Sequence, residues 1–117
     1  MRRDLAVCAF LVLVTLAVYG QVARHDFVNI DDDAYVYENR HVRSGLTAEG
    51  VVWAFTALWA SNWHPLTWMS HMLDCELFGL NAGYHHLANL LLHILNSTLL
   101  FLILRRMTGA VWRSGMV

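Results

Sequence analysis

The 117-residue chain has no lysine, one proline (Pro65) and two cysteines. Without lysine, eight arginines carry all of the fixed side-chain cationic charge, so arginine placement alone reports topology. No internal repeat, linker or low-complexity run interrupts the sequence. Cys8 falls inside an apolar run and Cys75 in a polar stretch far from it, which argues against an intramolecular disulfide and leaves the redox compartment open. Charge is scarce too. Charged residues make up 15% against 57% hydrophobic, a balance that points away from an ordinary soluble domain and toward a membrane protein.

Two uncharged segments hold the excess, Leu5 to Val22 and Leu87 to Leu104. Each has about 18 residues, near the lower limit for a helix that crosses a bilayer. Arg2 and Arg3 precede the first, while Arg105, Arg106 and Arg113 follow the second, so both ends read as cytoplasmic. The stretch between holds Arg24, Arg40 and Arg43 against Asp26, Asp31, Asp32, Asp33, Glu38, Glu49, Asp74 and Glu76, and reads as extracytoplasmic. The expected fold is an all-α membrane protein, two transmembrane helices joined by an extracytoplasmic loop with two short amphipathic helices. Its parts are 1–22 (N-terminus and first span), 23–83 (loop), 84–107 (second span) and 108–117 (cytoplasmic end). A signal peptide cut after Gly20 is the competing reading of the first segment, and would leave the second as a tail anchor. The arginine pair lacks the rest of a twin-arginine signal, and Val7 is too large for a lipobox ending at Cys8. The sequon at Asn96 lies inside the second span and reads as chance.

Within the loop, alternation in Ala34-Tyr35-Val36-Tyr37 predicts an extended segment or short strand between Phe27 and about Val42. Thr47 is placed to cap a helix that carries Glu49 near its positive end, buries Val51, Val52, Phe55 and Leu58, and stops near Ser61-Asn62. Pro65 suits the first turn of a second helix, with Leu66, Met69, Met72, Leu73 and Leu77 at helical spacing before Gly79. Trp53, Trp59, Trp63 and Trp68 fit either a helix pair in the headgroup region or the core of a small cap. Asn81 can open the last helix, which runs to Thr108-Gly109.

Three features can carry chemistry. Asp31-Asp32-Asp33 follows the first span closely; most such runs are solvated turns, but partial burial of Asp31 and Asp32 among Phe27, Val28, Asn29 and Ile30 together with mutual repulsion would raise one carboxyl pKa toward a general base. His85, Asn89 and His93 recur every four residues, a polar face entering the second span that serves an aqueous cavity or interhelical hydrogen bonds. Asn62-Trp63-His64-Pro65-Leu66-Thr67 is a helix start with a histidine beside it. Metal or haem ligation by His86 with His93, or by His64 with His71, fits no specific ligand pattern.

In this order the features resemble the N-terminal part of GT-C superfamily membrane glycosyltransferases, in the transmembrane and tetratricopeptide-repeat family related to protein O-mannosyltransferases. The stretches that carry the resemblance are Phe27-Val28-Asn29-Ile30-Asp31-Asp32-Asp33, His64-Pro65-Leu66-Thr67, Tyr84-His85 with Asn89 and His93, and Arg105-Arg106-Met107-Thr108-Gly109. The resemblance implies that a carboxylate of the pair Asp31 and Asp32 deprotonates an acceptor hydroxyl on a protein or glycan. That hydroxyl attacks the anomeric carbon of a polyprenyl-phosphate-linked sugar. It also implies that His64 and the extra carboxylate Asp33 contact substrate, with His64 at the donor phosphate, and that His85, Asn89 and His93 support the loop. No cofactor is required, a divalent metal is compatible, and no nucleic-acid partner is expected. Such enzymes continue through many further spans and helical repeats, so a two-span module is expected to be inactive alone. The rival reading is a small two-span binding or assembly protein whose acidic, histidine-containing loop takes a cation or a partner.

Overall fold

The structure, a computed structural model, describes residues 2–28 and 30–116. Among them every regular element is helical. The chain divides into two compact units, one built from 1–22 with 87–117 and the other from 23–86.

The first unit holds α1 (Arg2–Tyr19), most of α5 (Ala82–Thr108) and the short α6 (Val111–Gly115). A 3-10 turn, Gly20–Arg24, continues from α1. The stretches Arg2–Arg24 and Ala82–Thr108 are 23 and 27 residues long, and both are long and apolar enough to cross a membrane. Leu13 and Leu91 are each 66% exposed, with Leu5, Phe10 and Leu95 also open. Burying a leucine is worth roughly 1.5–3 kcal/mol, so leaving so many open is costly in water. Phe101, Leu90, Val7 and Ser114 form the small interior. Gly109, at φ 71°, ends α5 with its N–H on the Arg105 carbonyl, a left-handed turn that costs glycine little. Ser114 then donates to the Ala110 carbonyl at 2.7 Å and lies 3.1 Å from the Thr108 hydroxyl. A Cβ on Gly115 would come within 3.1 Å of Val7, so α6 rests closely on α1.

The second unit carries a π-helical turn (Asp33–Tyr37), α2 (Arg40–Arg43), α3 (Ala48–Thr56), α4 (Pro65–Phe78) and the first residues of α5. Its core is Val36, Val42, Ala54, Trp68, Met72 and Cys75, with Phe27, Tyr35, Trp53 and Met69 packed against it. Several capping expectations are met. The Thr47 hydroxyl accepts from Gly50 N at 3.0 Å, Pro65 occupies the first turn of α4, Gly79 closes it at φ 61°, and Asn81 Oδ1 accepts from Tyr84 N at 3.2 Å.

Two local expectations are overturned, the extended segment and the extent and buried face of α3. The segment at Ala34–Tyr37 is not extended: Glu38 N donates to Asp33 O at 2.9 Å, the five-residue reach of a π turn. No described strand lies beside it, and an unpaired strand would leave its backbone groups without partners. Helix α3 stops at Thr56 and buries Gly50 and Ala54, while Val52 and Phe55 on it and Leu58 beyond it stay exposed. A Cβ on Gly50 would meet Met72 Sδ at 3.1 Å, so the small side of α3 is the one that lets α4 approach. Helix α4 buries Trp68, Met72, Asp74 and Cys75 and leaves Leu66, Leu73 and Leu77 outside, because the bulk that fills this core is the indole.

A buried His71, Asp74 and His85 cluster

Asp31 is exposed, and its carboxylate makes no hydrogen bond among the described residues. Asp32 Oδ2 accepts from Val28 N at 2.7 Å, and Asp33 Oδ1 from Ala34 N at 2.8 Å. These two carboxylates hold the turn, while Asp31 stands open. Asn29, part of the same motif, lies outside the described residues. Asp31 is exposed and Asp32 half-buried, so the partial burial expected for this pair holds at Asp32 alone, and an aspartate outside the motif, Asp74, is the deeply buried one.

The histidines separate into different settings. His64 is half-buried, its ring 4.8 Å from Trp68 and 5.4 Å from Tyr35, with a buried Nε2 that has no hydrogen-bond partner. His93 packs edge-on against Tyr19 at 5.8 Å, and Asn89 is exposed. His85 is only 2% exposed, and its Nε2 lies 2.8 Å from the Gly79 carbonyl. The face that reads as one stripe in sequence thus serves separate environments along α5.

His85 meets two residues of α4 instead. One ligand-capable atom each from His71, Asp74 and His85 lies within 4.8 Å of the others. His71 and Asp74, three positions apart, share a helix face. His71 Nδ1, Asp74 Oδ2 and His85 Nδ1 are all buried without a hydrogen-bond partner. Each such orphan costs about 1–3 kcal/mol when nothing satisfies it. Burial pushes the Asp74 carboxyl above its ordinary value, His85 pulling the other way. Burial also lowers the His71 imidazole, with His85 and His64 adding to that shift and Asp32 opposing it. Without a ligand Asp74 and His71 therefore both tend toward their neutral forms. A cluster of this composition, two imidazoles and a carboxylate, can hold a divalent ion. The spacing of His71 and Asp74 was available in the sequence as a signal; the arrival of His85 needs the α4–α5 turn.

Around the segment before the acidic turn, a cleft of about 570 Å³ is lined by Ala23, Arg24, His25, Asp26, Phe27, Tyr37 and Leu80 to Gly83. Within it Arg24 and His25 bring basic groups that sequence reasoning did not single out. Comparison of the chain with protein-family models, with curated proteins and with solved structures finds no match.

Proposed function

We propose that the chain is the N-terminal module of an integral-membrane glycosyltransferase that moves a sugar such as mannose from a polyprenyl-phosphate donor to an acceptor hydroxyl. One observation carries the reading: after an apolar helix of spanning length, two of three adjacent carboxylates are taken up by backbone N–H groups and the third, Asp31, is left open. Asp31 then acts as general base and Asp32 positions the turn. In this reading α1 and α5 cross a bacterial inner membrane with their arginine-bearing ends in the cytoplasm, and residues 23–86 face the periplasm. Trp59 Nε1 donates to Ala34 O and Trp63 Nε1 to Phe55 O, so both indoles spend their polar atom internally and offer apolar rings outward, which suits a lipid surface. Arg24 and His25 in the cleft serve the donor phosphate, with His64 a second candidate for it. Orientation of donor and acceptor supplies much of the rate in such a transfer, so the module works together with further spans.

The test is sugar transfer from polyprenyl-phosphate mannose by membranes carrying the full product of the open frame that contains this chain. Asp31→Asn is expected to lower turnover about 10²- to 10⁴-fold, and Asp32→Asn, which keeps an acceptor for Val28 N, to lower it less. Undiminished transfer by Asp31→Asn ends the assignment. The rival reading, a two-span binding protein that takes a cation, draws its support from the His71, Asp74 and His85 cluster.

A further inference from the structure

We infer that His71, Asp74 and His85 form a binding site for one divalent transition-metal ion, zinc being the best match, built inside the unit 23–86 and independent of glycosyl transfer. Three observations converge. The ligand-capable atoms of the three side chains lie within 4.8 Å of one another, against separations of about 3.3 Å between ligands that each stand at 2.0–2.1 Å from a tetrahedral zinc. Small side-chain rotations close that difference.

Asp74 and His85 are also more than nine-tenths buried, and each, like His71, presents a buried polar atom that nothing among the described residues satisfies. Native interiors rarely leave several such atoms side by side, and a ligand shared by all of them is the economical explanation. A hydrogen-bonded water is the competitor, but two imidazole nitrogens and a carboxylate oxygen form a donor set that selects a borderline metal ion.

The surroundings fix the chemistry of the donors. A carbonyl can only accept, so the 2.8 Å contact of His85 Nε2 with Gly79 O places the proton on Nε2 and leaves a lone pair on Nδ1. This is the arrangement in which a backbone carbonyl orients a metal-bound histidine. Phe27 packs edge-on against the His85 ring at 5.4 Å and limits its rotation. Helix α4 supplies two donors three residues apart, and α5 supplies the third from its first turn. Three protein donors leave one position for water or an added ligand. The ion would thereby tie together two helices joined only by the short turn at Gly79 to Asn81.

The experiment uses the full chain purified in detergent and stripped with a chelator. Cobalt(II), a spectroscopic stand-in for zinc, is titrated in while its visible absorption is followed, and zinc binding is measured by calorimetry. The expected result is one ion per chain, intense cobalt bands of a four-coordinate site, and a rise in Tm with zinc as mass action requires. His71→Gln, Asp74→Asn and His85→Gln should each weaken binding at least 10-fold. His41→Gln, which alters a histidine stacked on Trp53 outside the cluster, should leave it unchanged. Circular dichroism of each stripped variant separates loss of the site from loss of the fold. If His85→Gln fails to fold, the milder Asp74→Asn carries the test. No uptake of cobalt or zinc by the folded protein, or uptake that persists in the three variants and disappears on changing Asp31 to Asp33, overturns the inference.

Discussion

Arg105 donates through Nε to Asp4 Oδ1 at 3.0 Å, joining the first turn of α1 to the last turn of α5 within one compact unit. Both side chains are about a quarter to a third exposed. A pair of that exposure is worth roughly 0.2–1 kcal/mol. A double-mutant cycle with Asp4→Asn and Arg105→Gln, read from unfolding of the detergent-solubilised chain, should return a coupling in that range. Zero coupling would mean that this pair adds nothing to holding the two ends together.

Asn39 is 1% exposed and satisfies three backbone groups: Oδ1 accepts from His41 N and Val42 N, and Nδ2 donates to Ala34 O. Asn39→Ala removes a helix cap and leaves His41 N and Val42 N without it, while Ala34 O keeps its second donor, Trp59 Nε1. The expected loss is about 1–3 kcal/mol, larger than for Asn39→Asp, which keeps the cap. Equal losses from the two variants would show that the Ala34 contact dominates.

Folding of the metal-free protein should be least favourable in an intermediate pH window, where both contributions are partly lost. The folded value of Asp74 is raised above 3.8, so its contribution is complete below about pH 3.8 and is lost as pH rises through the folded value. The folded value of His71 is lowered below 6.5, so its contribution is complete above about pH 6.5 and is lost as pH falls toward the folded value. Thermal unfolding of the chelated chain across this range reads both limbs. Asp74→Asn should flatten the loss with rising pH, and His71→Gln the loss with falling pH; a profile unchanged in both variants contradicts the assignment.

Cys75 is buried, and burial together with neighbouring Asp74 pushes its thiol up, Arg43 opposing. In a Cys8→Ser background, a water-soluble maleimide should label Cys75 at least 10-fold more slowly in folded protein than after denaturation. Fast labelling of folded protein would mean that the core around Met72 opens on the timescale of the reaction.

Much of this architecture is legible in the sequence, but for local reasons. Uncharged length gives α1 and α5, and Thr47, Pro65, Gly79, Asn81 and Gly109 mark helix ends because each acts on backbone groups within a few residues. Packing direction is another matter. Leu66, Leu73 and Leu77 share a helix face with good periodicity, yet they point outward while Trp68 and Met72 point in. Periodicity identifies faces; it does not say which one looks inward. The acidic turn is legible as a motif, whereas its division of labour depends on which N–H each carboxylate accepts. The cluster at His71 escapes because its third member arrives by a chain reversal, and His85 taken with His93 suggests a stripe that the fold divides.

Gly83 has one further consequence. A Cβ at this position would collide with the Ala23 carbonyl, and three residues on, His86 Nε2 lies 3.3 Å from the Asp26 carbonyl. The entry and exit segments of the 23–86 unit therefore meet, like the two feet of an arch. A segment so closed is portable: it can be excised and its ends sealed by a few residues, or grafted between the helices of an unrelated hairpin, with little loop-closure entropy added. A single methyl group at position 83 would spread the feet and forfeit that modularity.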